Sequence, residues 1–185
     1  MSVKYFFSAL MILLFASTIG CSKTPAPQTD EPRTLVKGAD VSWLPQMEAT
    51  GYKFYNDNGQ QEDCLKILKD HGINAIRLRT FVNPSDDKIN GHCGKDETVA
   101  LAVRAQNMGM QIMIDFHYSD SWADPSKQKK PAAWEGHDFP TLLNDVYNYT
   151  TEVMTALKNA GVTPAWVQVC LLYTSPSPRD DRPNL

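Results

Sequence analysis

A short apolar strand that ends in ionisable and aromatic side chains constrains the fold of this chain more than any other segment. Between Met110 and His117 the residues alternate, so that Ile114 and Phe116 share one face of a strand while Asp115 and His117 share the other. Burying polar groups without partners costs about 2–7 kcal/mol. We therefore expect the polar face to line the inside of a barrel, with Asp115 and His117 near its C-terminal mouth.

Strands and helices alternate along the chain from residue 36 onward. The hydrophobic pattern predicts strands over 36–42, 73–80, 110–117 and 165–169, and helices over 62–71, 96–108 and 140–160. This alternation is typical of a parallel sheet with right-handed crossovers. Two architectures are compatible with it, an open doubly wound sheet and a (β/α)8 barrel.

Polar side chains at the ends of successive predicted strands favour the barrel. They are Asp40 on the first strand, Arg77 and Arg79 on the second, and Asp115 and His117 on the third. Active sites of barrels lie at this C-terminal rim, whereas a dinucleotide-binding doubly wound sheet needs a glycine-rich turn that does not follow the first strand here. We therefore predict an α/β fold of the TIM (β/α)8 barrel class. A complete barrel has about 250 residues, so residues 34–169 hold about its first four β/α units.

The first 20 residues predict an export signal. Lys4 precedes an apolar run over residues 5–19, which is shorter than the roughly 20 apolar residues of a membrane-spanning helix. Cys21 follows small residues as in a bacterial lipobox, so we expect it to be lipidated and to anchor the protein at the cell envelope. The alternative is an ordinary cleaved signal peptide and a secreted or periplasmic protein. Residues 21–33 contain three prolines among small polar residues and predict a tether.

Composition and cysteine spacing exclude several other functions. A formal net charge of -3 with 21% charged residues provides no basic surface suited to nucleic acid. No cysteine or histidine spacing predicts a metal cluster, and no motif predicts a cofactor. After export, Cys64 and Cys93 could form a disulfide or remain two separate thiols, and the sequence leaves both alternatives open.

The chain changes character at Cys170. Residues 170–180 read Cys-Leu-Leu-Tyr-Thr-Ser-Pro-Ser-Pro-Arg-Asp and have no periodicity from which a fifth strand could form. They look like a translated sequencing adapter, so we interpret residues 170–185 as a non-native tail. A natural disordered tail is the alternative.

Four segments resemble glycoside hydrolase family 53, the endo-β-1,4-galactanases. They are residues 38–48 (Gly-Ala-Asp-Val-Ser-Trp-Leu-Pro-Gln-Met-Glu), 72–84 (Gly-Ile-Asn-Ala-Ile-Arg-Leu-Arg-Thr-Phe-Val-Asn-Pro), 115–125 (Asp-Phe-His-Tyr-Ser-Asp-Ser-Trp-Ala-Asp-Pro) and 166–169 (Trp-Val-Gln-Val). The resemblance implies a barrel enzyme that cleaves β-1,4-galactan in pectic arabinogalactan with retention. Two glutamates would perform the reaction, one as acid/base and one as nucleophile.

The resemblance also implies where the two glutamates belong. The fourth strand should continue from Val169 into Gly-Asn-Glu, whose glutamate is the acid/base, and the nucleophile should end the seventh strand. Cys170, Leu171 and Leu172 occupy the three positions after Val169, and nothing corresponds to strands five to eight. We therefore expect both catalytic carboxylates to be missing and the chain to be inactive as it stands.

The remaining polar residues of the strands are expected to support the site. Asp40 and Asp115 should pair with the arginines in a satisfied network rather than replace the glutamates. The resemblance implies that Arg77 orients a catalytic carboxylate, with a buried ion pair as a compatible role. Arg79, nearer the mouth, would meet sugar hydroxyls or remain a solvated charge. His117 would bond the sugar or steady a glutamate, unless it is a satisfied core histidine.

Four aromatic residues are candidate sugar platforms, since the apolar face of a galactose ring suits an aromatic ring: Trp43, Tyr118, Trp122 and Trp134. Trp43 and Trp122 follow the first and third strands, and Trp122 is the stronger candidate because its loop is polar. Two alternative functions stay open. One is a related barrel hydrolase acting on mannan or cellulose, and the other is a surface lipoprotein that binds glycans without cutting them.

Overall fold

The computed structural model describes residues 35–85, 87, 91–123 and 129–169. The predictions for the export signal, for the tether with Cys21 and for the tail from residue 170 lie outside these residues. The elements in chain order are β1 (Gly38–Asp40), α1 (Leu44–Ala49), α2 (Cys64–Asp70), β2 (Ala75–Phe81), α3 (Lys95–Asn107), β3 (Gln111–His117), a short 3-10 turn (Ala132–Trp134), α4 (Phe139–Asn159) and β4 (Trp166–Gln168).

The four strands form one parallel sheet in the order β1-β2-β3-β4. Each strand therefore pairs with the next one along the chain, and the described part of the sheet has no point at which the order reverses. A doubly wound sheet has such a reversal, and its ligands bind there. The sequential parallel order is instead that of a (β/α)8 barrel.

The apolar face of the sheet packs against the helices. Ile114 and Phe116 of β3 and Leu78 of β2 are fully buried in one cluster with residues of α3 and α4, among them Val153 and Leu157. Burying a side chain of this size stabilises a fold by roughly 1.5–3 kcal/mol. The opposite face carries Asp115 and His117, as the alternation of β3 predicts.

Capping side chains and glycines fix the ends of the helices. Asp63 and Asp138 precede α2 and α4, and each carboxylate accepts hydrogen bonds from N–H groups of the first helical turn. Gly72 and Gly161 lie just beyond the ends of the same helices with φ values of +86° and +77°. These left-handed values favour glycine and stop a helix, which is why the predicted helix ends agree with the structure.

The outer strands and one helix differ from their predictions. β1 and β4 have three residues each, fewer than predicted. Helix α1 was not predicted, since its six residues are too few for a helical period to show. Leu44 begins it and anchors it in the core, and Pro45 lies in its first turn, where proline is favoured. None of the described helices combines the length and the apolar character that crossing a bilayer requires.

The disulfide alternative is wrong. Cys64 and Cys93 are both free cysteines. The thiol of Cys93 lies 3.2 Å from the carbonyl oxygen of Ser42 and donates to it, and Cys64 begins α2. Burial raises the pKa of both thiols, so each stays protonated at neutral pH.

Candidate functional site

An arginine joins two aspartates across three neighbouring strands. Arg77 of β2 donates through Nη1 to Oδ2 of Asp40 on β1 at 2.6 Å, and through Nη2 to Oδ2 of Asp115 on β3. Both aspartates pair with arginine as expected, but the network is not fully satisfied, because Oδ1 of Asp115 is buried without a hydrogen-bond partner among the described residues. With both terminal nitrogens of Arg77 engaged by carboxylates, neither aspartate is free to act as an acid or a nucleophile.

His117 completes this network at its buried end. Its Nε2 atom lies 3.1 Å from Oδ2 of Asp115, and its Nδ1 atom accepts the backbone N–H of Ala123 at 3.4 Å. Because Nδ1 must accept, the hydrogen bonds assign the ring proton to Nε2, which donates to Asp115. Both ring nitrogens are used within the protein, and His117 is fully buried. This is the arrangement of a satisfied core histidine rather than of a sugar ligand.

Asp40 is ionised at the rim of the network. Its Oδ1 atom accepts from the backbone N–H of Ser42 at 3.0 Å and from the hydroxyl of Ser42 at 2.6 Å. Partial burial acts to raise the pKa of Asp40, but the bonds from Ser42 and the charges of Arg79 and Arg77 outweigh it and lower the pKa below its usual value. Ser42 also accepts the backbone N–H of Arg79 at 2.9 Å, so it ties β1 to β2. Sequence patterns did not identify Ser42.

Arg79 is buried beneath two indole rings. Its side chain is 3% exposed, and its guanidinium carbon lies 4.6 Å from the ring centre of Trp43 and 4.5 Å from that of Trp122. Its Nη1 atom is 3.9 Å from Asp40, while Nε and Nη2 have no hydrogen-bond partner in the described part of the chain. The expectation of a solvated Arg79 is therefore wrong, because the two indoles exclude water from it. Contact with sugar hydroxyls stays a prediction.

The two tryptophans lie at the rim with their outer faces in solvent. Trp43 is 57% exposed and Trp122 is 48% exposed, and their ring centres are 6.1 Å apart with a tilt of 32°. Both line an open cavity of about 490 Å³, together with Phe81, Cys93 and Ser121. The cavity has the size and the aromatic lining of a small-molecule site.

Loop contacts hold this rim together. Asp120 accepts the backbone N–H of Asn83 at 3.1 Å through Oδ1 and that of Ala132 at 2.8 Å through Oδ2, so it joins the loops that follow β2 and β3. Trp134 is nearly buried and packs against Tyr149, with ring centres 6.5 Å apart. The sequence did not identify Asp120 as a site residue, although a short acidic side chain between two serines is typical of such loop ties. Among the described residues, no group of acidic, histidine or cysteine side chains could hold a metal ion.

Comparisons with known proteins agree with this geometry. The sequence profile described as Glycosyl hydrolase family 53 matches residues 36–171. The chain is 40% identical over 141 residues to an endo-β-1,4-galactanase of Bacillus subtilis. This match covers 74% of this chain and 33% of that protein. It is 41% identical over 135 residues to a probable arabinogalactan endo-β-1,4-galactanase A of Aspergillus fumigatus, covering 73% of this chain and 37% of the relative.

Solved structures show the same likeness. A GH53 catalytic domain from Ignisphaera aggregans superimposes with a TM-score of 0.69 at 38% identity, covering 75% of this chain and 41% of that domain. The chain thus spans about a third of the length of the curated relatives that it matches. The TIM (β/α)8 barrel prediction is confirmed for the portion that the chain contains. This chain belongs to glycosyl hydrolase family 53.

Proposed function

We propose that this chain forms part of the substrate cleft of an endo-acting glycosidase that cleaves β-1,4-galactan, the polysaccharide of pectic arabinogalactan side chains. The observation that carries the proposal is the pair of exposed indoles, Trp43 and Trp122, above a buried polar network at the C-terminal ends of the strands. Barrel enzymes place their active sites at this rim. The names of the Bacillus subtilis and Aspergillus fumigatus relatives supply the galactan substrate.

The polar network supports the cleft without performing the chemistry. Retaining hydrolysis needs two carboxyl groups about 5–5.5 Å apart, one to attack the anomeric carbon and one to protonate the leaving oxygen. Asp40 and Asp115 are the acidic groups of this network, and both are bound by Arg77. Their role is to fix the strand ends and, with His117, the start of the loop that carries Trp122.

We expect the rim to bind galactan without hydrolysing it. The resemblance places the acid/base glutamate at position 172, where the chain has Leu172. A cleft with sugar platforms but without the acid/base carboxylate retains binding, because stacking and hydrogen bonding do not depend on the reacting group.

Affinity electrophoresis and a reducing-sugar assay test the proposal together. The chain should be retarded in gels containing β-1,4-galactan, more than in gels containing mannan or a soluble cellulose derivative, and should release no reducing ends. Trp122→Ala should lose the retardation. Tyr147→Ala removes an aromatic side chain that is 70% exposed on α4 and should leave the retardation unchanged. Equal retardation by all three polysaccharides, or stronger retardation by mannan or cellulose, would contradict the proposal.

We also propose that the protein is exported and anchored through a lipid on Cys21. The support is the apolar run over residues 5–19 followed by small residues and Cys21. Lipoproteins carry several acyl groups, which suffice for stable anchoring where one chain does not. Mass spectrometry of the protein expressed in a bacterial host should find acyl groups on Cys21, and Cys21→Ala should move the protein to the soluble fraction. An unmodified Cys21 would instead indicate an ordinary signal peptide.

A further inference from the structure

Arg79 and two tryptophans from different loops form one compact group. Trp43 follows β1 and Trp122 follows β3, whereas Arg79 belongs to β2 between them. The guanidinium lies 4.6 Å and 4.5 Å from the two ring centres, which are themselves 6.1 Å apart. The lines from the guanidinium carbon to the two ring centres therefore form nearly a right angle, while the planes of the rings are tilted by only 32°. The two rings lie side by side over the guanidinium, and both side chains stay about half exposed.

The unsatisfied donors of Arg79 explain what holds the group together. Nε and Nη2 have no hydrogen-bond partner among the described residues, and both are shielded from water. Burying these two donors without acceptors is costly, although Nη1 keeps an ion pair with Asp40 at 3.9 Å. An indole face attracts a guanidinium, and this attraction increases as water is excluded. The two rings therefore take the place of hydrogen-bond acceptors. In turn, a cation fixed to β2 restrains both rings.

We propose that Arg79 is a positioning residue that fixes Trp43 and Trp122 as one bent platform for two consecutive sugar residues of β-1,4-galactan. The proposal rests on the proposed function and adds how the cleft selects its polysaccharide. Without Arg79, the two indoles belong to separate loops that share a single ring contact. With it, their separation and their tilt are set before the sugar arrives, which lowers the entropic cost of binding.

The tilt between the rings suits galactan better than it suits cellulose or mannan, whose chains are flat. In galactose the oxygen at C4 is axial, so a β-1,4 chain of galactose turns at every linkage. In glucose and mannose that oxygen is equatorial, and the corresponding chains extend as flat ribbons. Two platforms tilted by 32° present their faces to rings that turn relative to each other, whereas a flat ribbon could lie against one of them only.

Oligosaccharide titrations of wild type, Arg79→Lys and Arg79→Met test the selectivity. A lysine keeps the charge but is a compact ammonium that cannot lie flat against two rings. We expect both variants to bind galactotetraose about fivefold more weakly or worse, with a smaller change for cellotetraose and mannotetraose, so that the preference for galactose falls. The control Lys66→Met removes an exposed cation on α2. It should change neither the affinity for galactotetraose nor the preference for galactose. An equal loss for all three oligosaccharides, or no loss, would overturn the proposal.

A second measurement needs no sugar and separates this proposal from the proposed function. Two indoles held at a fixed tilt produce a coupled signal in near-ultraviolet circular dichroism. Acrylamide quenches the fluorescence of a restrained indole more slowly than that of a free one. In the Arg79→Lys variant the coupled signal should disappear, and acrylamide should quench the tryptophan fluorescence faster than in wild type. If the arginine variants fail to fold, Trp43→Leu, at an exposed position, replaces them. It should likewise abolish the coupled signal and make the fluorescence of Trp122 easier to quench. An unchanged signal would overturn the platform even if galactan binds.

Wild-type protein that shows the coupled signal but binds no galactotetraose would overturn the proposed function and the galactan platform, leaving only the ring geometry.

Discussion

Arg77 donates to Asp115 across the β2–β3 pair, although the register places Asp115 opposite Arg79 and places Met113 opposite Arg77. The guanidinium therefore reaches along the sheet toward the C-terminal rim rather than straight across. Asp115 is fully buried, so this diagonal bond supplies the cation that its charge requires. Because Arg77 also binds Asp40, side chains as well as backbone hold three strands together where the cleft begins.

Removing Arg77 should destabilise the fold strongly. Arg77→Met leaves the charge of Asp115 in the interior without a cation, a change that typically costs about 3–5 kcal/mol. Urea denaturation followed by circular dichroism measures the loss. Lys66→Met breaks two exposed ion pairs and should lower the stability far less than Arg77→Met does. If the double variant Arg77→Met/Asp115→Leu is no more stable than Arg77→Met alone, the buried charge of Asp115 is not the cause.

Acid stability should depend on Asp40. Its native pKa lies below the usual value of about 3.9, despite burial, because Ser42 and the arginines stabilise its charge. A lowered native pKa contributes stability above the unfolded pKa, and this contribution is lost as the pH falls through the native pKa. The difference in Tm between wild type and Asp40→Asn should therefore shrink as the pH falls from about 6 toward 3.

Tyr149 should limit stability at alkaline pH. Burial raises its pKa far above the usual value of about 10, and its hydroxyl donates to the carbonyl oxygen of Phe81 and lies 2.9 Å from the hydroxyl of Thr80. A tyrosine with a raised native pKa stabilises the fold below the unfolded pKa, and this stability is lost as the pH rises toward the native value.

The matched pair Tyr149→Phe and Tyr147→Phe tests this role on one helix. Tyr149→Phe leaves a buried carbonyl without its donor and should cost about 1–3 kcal/mol in urea denaturation, and it should reduce the loss of stability at alkaline pH. Tyr147 is exposed on α4, so Tyr147→Phe should change neither quantity. Ionisation of every tyrosine of the folded protein near pH 10 would show that Tyr149 is not buried as described.

The two helix caps should differ in strength. Asp63 caps α2 and also accepts from Arg104 at 3.0 Å and 2.7 Å, whereas Asp138 caps α4 with one bond to Thr141. Asp63→Ala should cost about 1–2 kcal/mol and exceed the loss from Asp138→Ala, because it also removes a partner of Arg104. Thermal melts of both variants give the comparison. Equal losses would mean that the Arg104 bonds contribute nothing.

Local chemistry explains why much of the fold was predictable. Gly72 and Gly161 mark helix ends because their positive φ values disfavour other residues. The alternation of β3 assigned Asp115 and His117 to one face, since successive side chains of a strand point to opposite sides. The resemblance of four ordered segments identified the family. Each of these inferences needs only neighbouring residues, and each agrees with the structure.

Contacts between distant segments explain what was missed. Arg79 was expected to be solvated or to meet sugar, and its burial depends on two indoles, Trp43 and Trp122, that lie 36 and 43 positions away along the chain. Cys64 and Cys93 were equally compatible with a disulfide, and only the packing of Cys93 against Ser42 shows two free thiols. Helix α1 is too short for periodicity and forms because Leu44 is buried by the core.

The order of residues by itself determined the alternating elements, the ends of the helices, the polar face of the third strand and the family, because these depend on backbone preference, side-chain period and local motifs. Tertiary structure decided which charges meet. Arg77 could have paired with either aspartate or with a catalytic carboxylate, and the register of three parallel strands gave it both Asp40 and Asp115. Arg79 became the support of two rings for the same reason: an ionic or aromatic contact depends on distance in space, which sequence separation does not specify.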